Sequence, residues 1–355
     1  MPMATLTQTT YYTRRGLAFS SILLVGFIIA KVSLNMASEI WQKLHPPPPP
    51  PPTVAFGVLP KVKFPEDKLP IGKEKLTFRL ETIEGSLPSL PNVGKVYFMP
   101  VGRPNLLALD RANEKARKMG FRGQPQTVNE TLYRWTNEAV PPTTLEMNIN
   151  HGNFQLRYPY ETDQTILTNK NLPTNEQAAQ EAKNFLRTNG LLTADLATGS
   201  AEFDYLNLTP NGLTPAPSLS EADLLRVNIF RADLDNLKIF PPNPKNSLVS
   251  FLFSGSREMG KRIIEINYIH FPLEREIVAT YPLKPVNNAW QEIQAKEGYF
   301  ANLGQNENGQ ITIRKVYLAY YDSEEPQNYL QPIYVFEGDR NFFAYVEAVD
   351  PKWKE

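Results

Sequence analysis

The sequence predicts an α+β fold that follows an N-terminal transmembrane helix and a Pro-rich linker, with two or three modules that each pack a helix on an antiparallel β-sheet. Three observations lead there: an uncharged apolar run near the N-terminus, a run of consecutive prolines after it, and helical patterns each followed by a group of alternating strands. At 355 residues the chain has room for two or three compact domains of about 100 to 200 residues each.

The membrane segment comes first. In "RRGLAFSSILLVGFIIAKVSLNM", Arg14 and Arg15 precede an uncharged run from Gly16 to Ala30, and the apolar pattern continues past Lys31 through Val32, Leu34 and Met36. The uninterrupted part is shorter than the roughly 20 residues a bilayer asks for, but Tyr11 and Tyr12 suit one interface and Lys31 can snorkel toward the other. Residues 16–40 are therefore read as a helix through the lipid bilayer. A cleaved signal peptide is the rival reading, with Met36-Ala37-Ser38 as its small-residue site. Arg14 and Arg15 before the span, against Lys31, Lys43 and Glu39 after it, favour a cytoplasmic tail at residues 1–15. The expectation is a single-pass plasma-membrane protein with its C-terminal part extracytoplasmic.

Residues 41–72 read as the linker. The prolines from Pro46 to Pro52 favour a polyproline II helix rising about 3.1 Å per residue, a stiff spacer of roughly 20 Å. Beyond it, Val54, Phe56, Val58, Val62 and Phe64 alternate but are cut by Pro60, Pro65 and Pro70, which predicts an extended segment along the first domain.

The folded part divides into module 1 (73–163), module 2 (164–283) and module 3 (284–355). In "NLLALDRANEKARKMGF", Leu109, Ala112, Ala116 and Met119 share a helix face that stops at Gly120. The second helix has a capping box of Thr174 with Gln177, a stripe of Ala178, Ala182, Phe185 and Leu186, and a stop at Gly190. The third is predicted to start at Asn288 with Gln291, to face Trp290 and Ile293 inward, and to stop at Gly298.

Strands follow the second helix in "AEFDYLNL", "LLRVNIFRAD", "NSLVSFLFS" and "KRIIEINYIHF", and the third in "ITIRKVYLAYYD", "LQPIYVFE" and "FFAYVEAV". "LRVNIFRAD" (Leu225 to Asp233) and "RKVYLAYYD" (Arg314 to Asp322) read as a weak internal repeat. Ile311 and Ile313 are out of phase with Val316, Leu318 and Tyr320, which predicts a β-bulge near Lys315. Tyr320, Tyr321, Tyr334, Phe342, Phe343 and Tyr345 read mostly as sheet core.

Several chemistries are disfavoured. Lys plus Arg and Asp plus Glu number 37 each, without the basic excess that nucleic-acid binding needs. The absence of cysteine excludes disulfides and thiolate chemistry. "SGSREMGK" resembles a phosphate loop, but Arg262 stands where Ser or Thr must hold magnesium and a strand pattern follows, so it reads as a hairpin loop. His45 in the linker, His151 in the turn "NINHGNFQL" and His270 in a strand lack partners at metal-ligand spacing. "GQNENGQ" (Gly304 to Gln310) has Lys315 where a calcium loop needs Glu and reads as a turn. No cofactor is expected. A hydrolase with paired carboxylates stays open, because 37 acids offer many spatial pairs.

One surface feature points to binding. Arg111, Lys115 and Lys118, extended by Arg122, form a basic stripe opposite the apolar face of the first helix. Outside a cell it would suit anionic wall polymer or lipid head groups, and an ordinary solvated face has the same pattern.

"YPLKPVNNAWQEIQAKEG", followed by "VYLAYYD", "YLQPIYVFEGD" and "FFAYVEAVDP", resembles the C-terminal part of bacterial single-pass proteins that regulate a cell-wall sensor kinase, and more broadly PepSY-like modules. The matching residues are Tyr281, Lys284, Pro285, Ala289 and Trp290, then Leu318, Tyr320, Pro332, Tyr334, Phe336, Tyr345, Val346 and Ala348, over roughly the last quarter of the chain. The resemblance implies a non-enzymatic interaction protein, and no kinase-binding residue is matched. The expectation is an ectodomain that binds a membrane or envelope protein or the cell wall, with regulation of a sensor kinase as one role. The alternatives are a structural subunit of a secretion, pilus or division assembly, and a wall hydrolase.

Overall fold

The computed structural model describes residues 6–44, 51–66, 69–102, 105–163, 165–168, 170–258 and 260–355. It separates into two units, Met1–Pro51 and Pro52–Glu355. His45 and Pro46 to Pro50 of the proline tract lie outside the described residues.

The first unit is one helix, α1 (Leu6–Leu44), longer at both ends than the span read from sequence. Its stretch Thr13–Ser38, 26 residues that include an 18-residue window of mean hydropathy 2.2, is long and apolar enough to cross a membrane. At about 1.5 Å per residue that stretch exceeds the roughly 30 Å hydrocarbon layer, because the helix does not break at Lys31.

The second unit holds two sheets, with helices packed on them, and is α+β as expected. Its chain order opens β1 (Thr77–Leu80), β2 (Val93–Phe98), α2 (Ala108–Lys118), β3 (Gln126–Thr127), β4 (Leu132–Thr136), β5 (Thr144–Asn148) and β6 (Phe154–Arg157). Then come α3 (Thr165–Thr168), α4 (Asn175–Thr188), α5 (Ala194–Thr198), β7 (Ala201–Thr209), β8 (Gly212–Pro215), β9 (Leu224–Ile229), β10 (Ile239–Phe240), β11 (Val249–Ser254), β12 (Ile263–Tyr268) and β13 (Glu274–Pro282). Last are α6 (Val286–Gln294), β14 (Tyr299–Asn302), β15 (Gln310–Tyr321), β16 (Tyr329–Gly338) and β17 (Phe342–Glu347).

A nine-stranded antiparallel sheet runs β3-β4-β5-β6-β12-β11-β9-β7-β8. Because β6 pairs with β12, it crosses the 163/164 boundary drawn from sequence. Both α2 and α4 pack on it: Ala112, Ala116, Ala178, Ala182 and Leu186 share one core with Trp135, Leu145, Val227 and Phe251. Alanines on the buried faces let the helices approach closely, and the Trp and Phe rings of the sheet fill the space between.

The eight-stranded sheet runs β1-β15-β16-β17-β14, with β10 on β15 and β2 bridging β13 and β16. It draws strands from all three predicted segments. Two of its pairs, β1 with β15 and β10 with β15, are parallel, unlike the all-antiparallel expectation. Long connections separate these partners in the chain, so no hairpin imposes an antiparallel sense. The Ala289, Trp290 and Ile293 face of α6 packs here against Tyr334, Phe336 and Val346. The expected bulge is present as a register shift between Ile313 and Lys315. Of the six aromatics read as core, only Phe343 is not fully buried.

Other expectations are refined. The capping box of Thr174 and Gln177 is formed, and Gly190 takes a left-handed φ of 69° behind α4. Helix α6 instead starts after Pro285, which presets its backbone, and Lys296 takes the left-handed position (φ 66°) assigned to Gly298. Gly298 serves a close approach: a Cβ there would lie 2.6 Å from Ile293 Cδ1. The segment after the proline tract lies along the eight-stranded sheet, where it meets residues of the second and third predicted modules rather than the first module alone. Val54 N–H donates to Thr280 O (3.0 Å), Leu59 N–H donates to Trp353 O (2.8 Å), and Phe64 stacks on Tyr299. There Phe64 also contacts the Tyr321 and Tyr345 rings.

Candidate anion-binding pocket

Helix α2 presents two kinds of side chain to its neighbours. Ala108, Ala112 and Ala116 are buried, which brings its backbone close to the sheet, while Arg111 and Lys115 lie one turn apart beside them. Opposite these two, the β5–β6 turn is tied by Asn150 N–H to Asn148 Oδ1 (3.0 Å) and Gly152 N–H to Asn148 O (2.8 Å). It holds His151 at its tip. Gly152 adopts φ 75°, and a Cβ on it would stand 2.5 Å from Lys115 Nζ. Glycine there satisfies both the backbone and the approach of the ammonium.

The result is a cavity of about 310 Å³ whose lining includes Arg111, Lys115, His151, Gly102, Asn105 and Asn150. Among the described residues no carboxylate lines it. Among the described residues, neither Arg111 nor Lys115 has a carboxylate within ion-pair distance. Burial, and then the Arg111 charge, push the half-buried Lys115 ammonium below its ordinary value. Burial, and then the Lys115 charge, likewise push the His151 imidazole down. Its Nδ1 accepts from Asn153 N–H (3.3 Å), so the neutral ring carries its hydrogen on Nε2.

The basic stripe read from sequence therefore splits. Arg111 and Lys115 enter the cavity, Lys118 pairs with Glu114 (3.1 Å), and Arg122 is exposed outside the lining. His151 was legible only as a turn residue, because pairing of β5 with β6, not sequence spacing, carries it to α2.

A second cluster is buried where the two sheets meet. Asp195 on α5 accepts from Arg231 Nε (2.7 Å) and lies 3.0 Å from His270 Nε2, while Arg231 Nη1 donates to both Asp322 oxygens at 3.2 Å. Burial alone would raise the Asp195 carboxyl, but the His270 hydrogen bond and the Arg231 charge hold it well below the carboxylate range. Every charge here has a partner. His270 Nε2 also lies 3.3 Å from Thr193 Oγ1. Carboxylate and hydroxyl thus meet the same ring nitrogen, whereas a proton relay uses opposite nitrogens.

No family model and no curated protein matches the chain. Among solved structures, an uncharacterised protein from Eubacterium rectale aligns over 73% of this chain and 84% of its own, with 12% identity and a TM-score of 0.40. At that score the likeness defines neither fold family nor function.

Proposed function

We propose that the protein is a single-pass membrane protein whose extracytoplasmic unit binds a membrane or envelope partner without catalysing a reaction. The observation that carries this reading is the Arg111, Lys115 and His151 cavity, which concentrates basic groups with no acid among the described residues of its lining, on a chain that also has a span-length apolar helix. The half-buried Lys115 ammonium, with no carboxylate partner among the described residues and the exposed Arg111 beside it, carries a desolvation cost that an anionic partner would offset. The fully paired His270 and Asp195 cluster supports a structural role for those groups rather than proton transfer. Regulation of a sensor kinase, suggested by the C-terminal resemblance, is the narrower form of the proposal.

The test is cross-linking of the tagged full-length protein in its own membrane, with captured species identified by mass spectrometry. Specific capture of a membrane or envelope protein, reduced when Arg111 and Lys115 are both replaced by Glu, is expected. Capture unchanged by that replacement would remove the cavity from the interface, and cleavage of purified wall by the protein would overturn the non-catalytic reading.

A further inference from the structure

Three donor types converge on the cavity: a guanidinium fork, an ammonium, and an imidazole whose Nε2 carries the hydrogen. Together they offer more N–H groups than the two oxygens of a carboxylate can accept, and they suit an anion with three or more oxygens. Beside the cavity, Leu106 and Leu107 stand exposed where the chain enters α2, an apolar rim next to the charged floor.

We infer that the cavity between α2 and the β5–β6 turn is a phosphate-binding site, in which Arg111, Lys115 and His151 hold the oxygens of a phosphate group. This deepens the tethered-binding reading and rests on it for the biological source of the ligand, but its chemistry stands on the geometry of the second unit alone. Phosphate would pair with Lys115 and so relieve its repulsion of both Arg111 and His151. The phosphate can arrive free, on a soluble or polymeric ester, or on a lipid headgroup; the apolar rim suits the last.

The chain has three histidines, so isotope-labelled histidine gives few imidazole signals, and His151→Gln identifies the relevant one. With the full-length protein in zwitterionic detergent, inorganic phosphate at constant ionic strength is expected to shift the His151 signal saturably, half-maximally at or below about 1 mM. Phosphate is expected to raise the His151 pKa, and chloride to leave it in place. Lys115→Gln removes a half-buried charge and is expected to fold, with the half-saturating concentration raised at least about tenfold. Reconstitution in nanodiscs of phosphatidylcholine with or without phosphatidic acid separates the sources: a His151 shift from phosphatidic acid without free phosphate identifies a lipid headgroup. Absence of a saturable shift in both arms, or identical titrations for the parent and Lys115→Gln, would overturn the site. That failure would leave any cross-linked partner in place, so it is distinguishable from failure of the tethered-binding reading.

Discussion

Arg231 Nη1 sits 3.2 Å from both carboxylate oxygens of Asp322, and each side chain is only 6% exposed. Arg231 follows β9 of the nine-stranded sheet and Asp322 follows β15 of the eight-stranded sheet, so this pair ties the two sheets together. The two residues also belong to the segments read as a weak repeat.

Asp322→Ala leaves Arg231 buried with Asp195 as its remaining carboxylate partner. A loss of about 3–5 kcal/mol is expected, as for other buried pairs broken from one side. Urea unfolding would measure it, and a loss below about 1 kcal/mol would show that water or another acid replaces the pair.

Asp195 gives stability a defined pH dependence. Its folded carboxyl lies well below the ordinary 3.8, so its contribution is complete above that value and is lost as falling pH protonates the unfolded chain first. Asp195→Asn should flatten the fall in urea midpoint between about pH 5 and pH 3. Parallel pH profiles for the two proteins would assign the acid sensitivity elsewhere.

Two glycines should respond differently to alanine. At Gly199 a Cβ would lie 1.8 Å from Phe230 O and 2.9 Å from Asp195 O, both backbone atoms that cannot rotate away. Gly199→Ala is expected to cost about 3 kcal/mol or more. Gly190 has open space around its Cβ position and a φ of 69°, so Gly190→Ala should cost about 1–2 kcal/mol from backbone strain alone. Thermal melts run side by side would check the order.

Lys115→Gln should raise the His151 pKa in phosphate-free buffer, because it removes the positive charge that adds to burial in holding that value down. The sign for stability follows: a depressed imidazole favours the fold fully above about pH 6.5 and loses that contribution as pH falls and the unfolded chain takes up the proton. The variant should therefore show a weaker drop in melting temperature below that pH. A downward shift of the His151 pKa would contradict the proposed proximity of charge.

Local patterns carried much of the architecture. The apolar run predicts a span, Thr174 and Gln177 sit at capping-box spacing, and the phase change at Lys315 marks a bulge, because each depends on residues within a few positions of one another. The start and stop of α6 were misread for the same reason: Pro285 and Lys296 hold positions for which Asn288 and Gly298 were the stronger local signals. Basic character at Arg111 and Lys115 was likewise visible as helical spacing. By itself, then, the sequence determined the α+β class, the span-length helix, the cap of α4, the bulge near Lys315 and the helical spacing of Arg111 and Lys115. Only the tertiary structure decided that β6 joins β12 across the supposed module boundary, that His151 faces Lys115, and that Arg231 meets Asp322. Those contacts arise from sheet pairing and from the competition of side chains for burial, which act on the chain as a whole and leave no fixed spacing in its sequence.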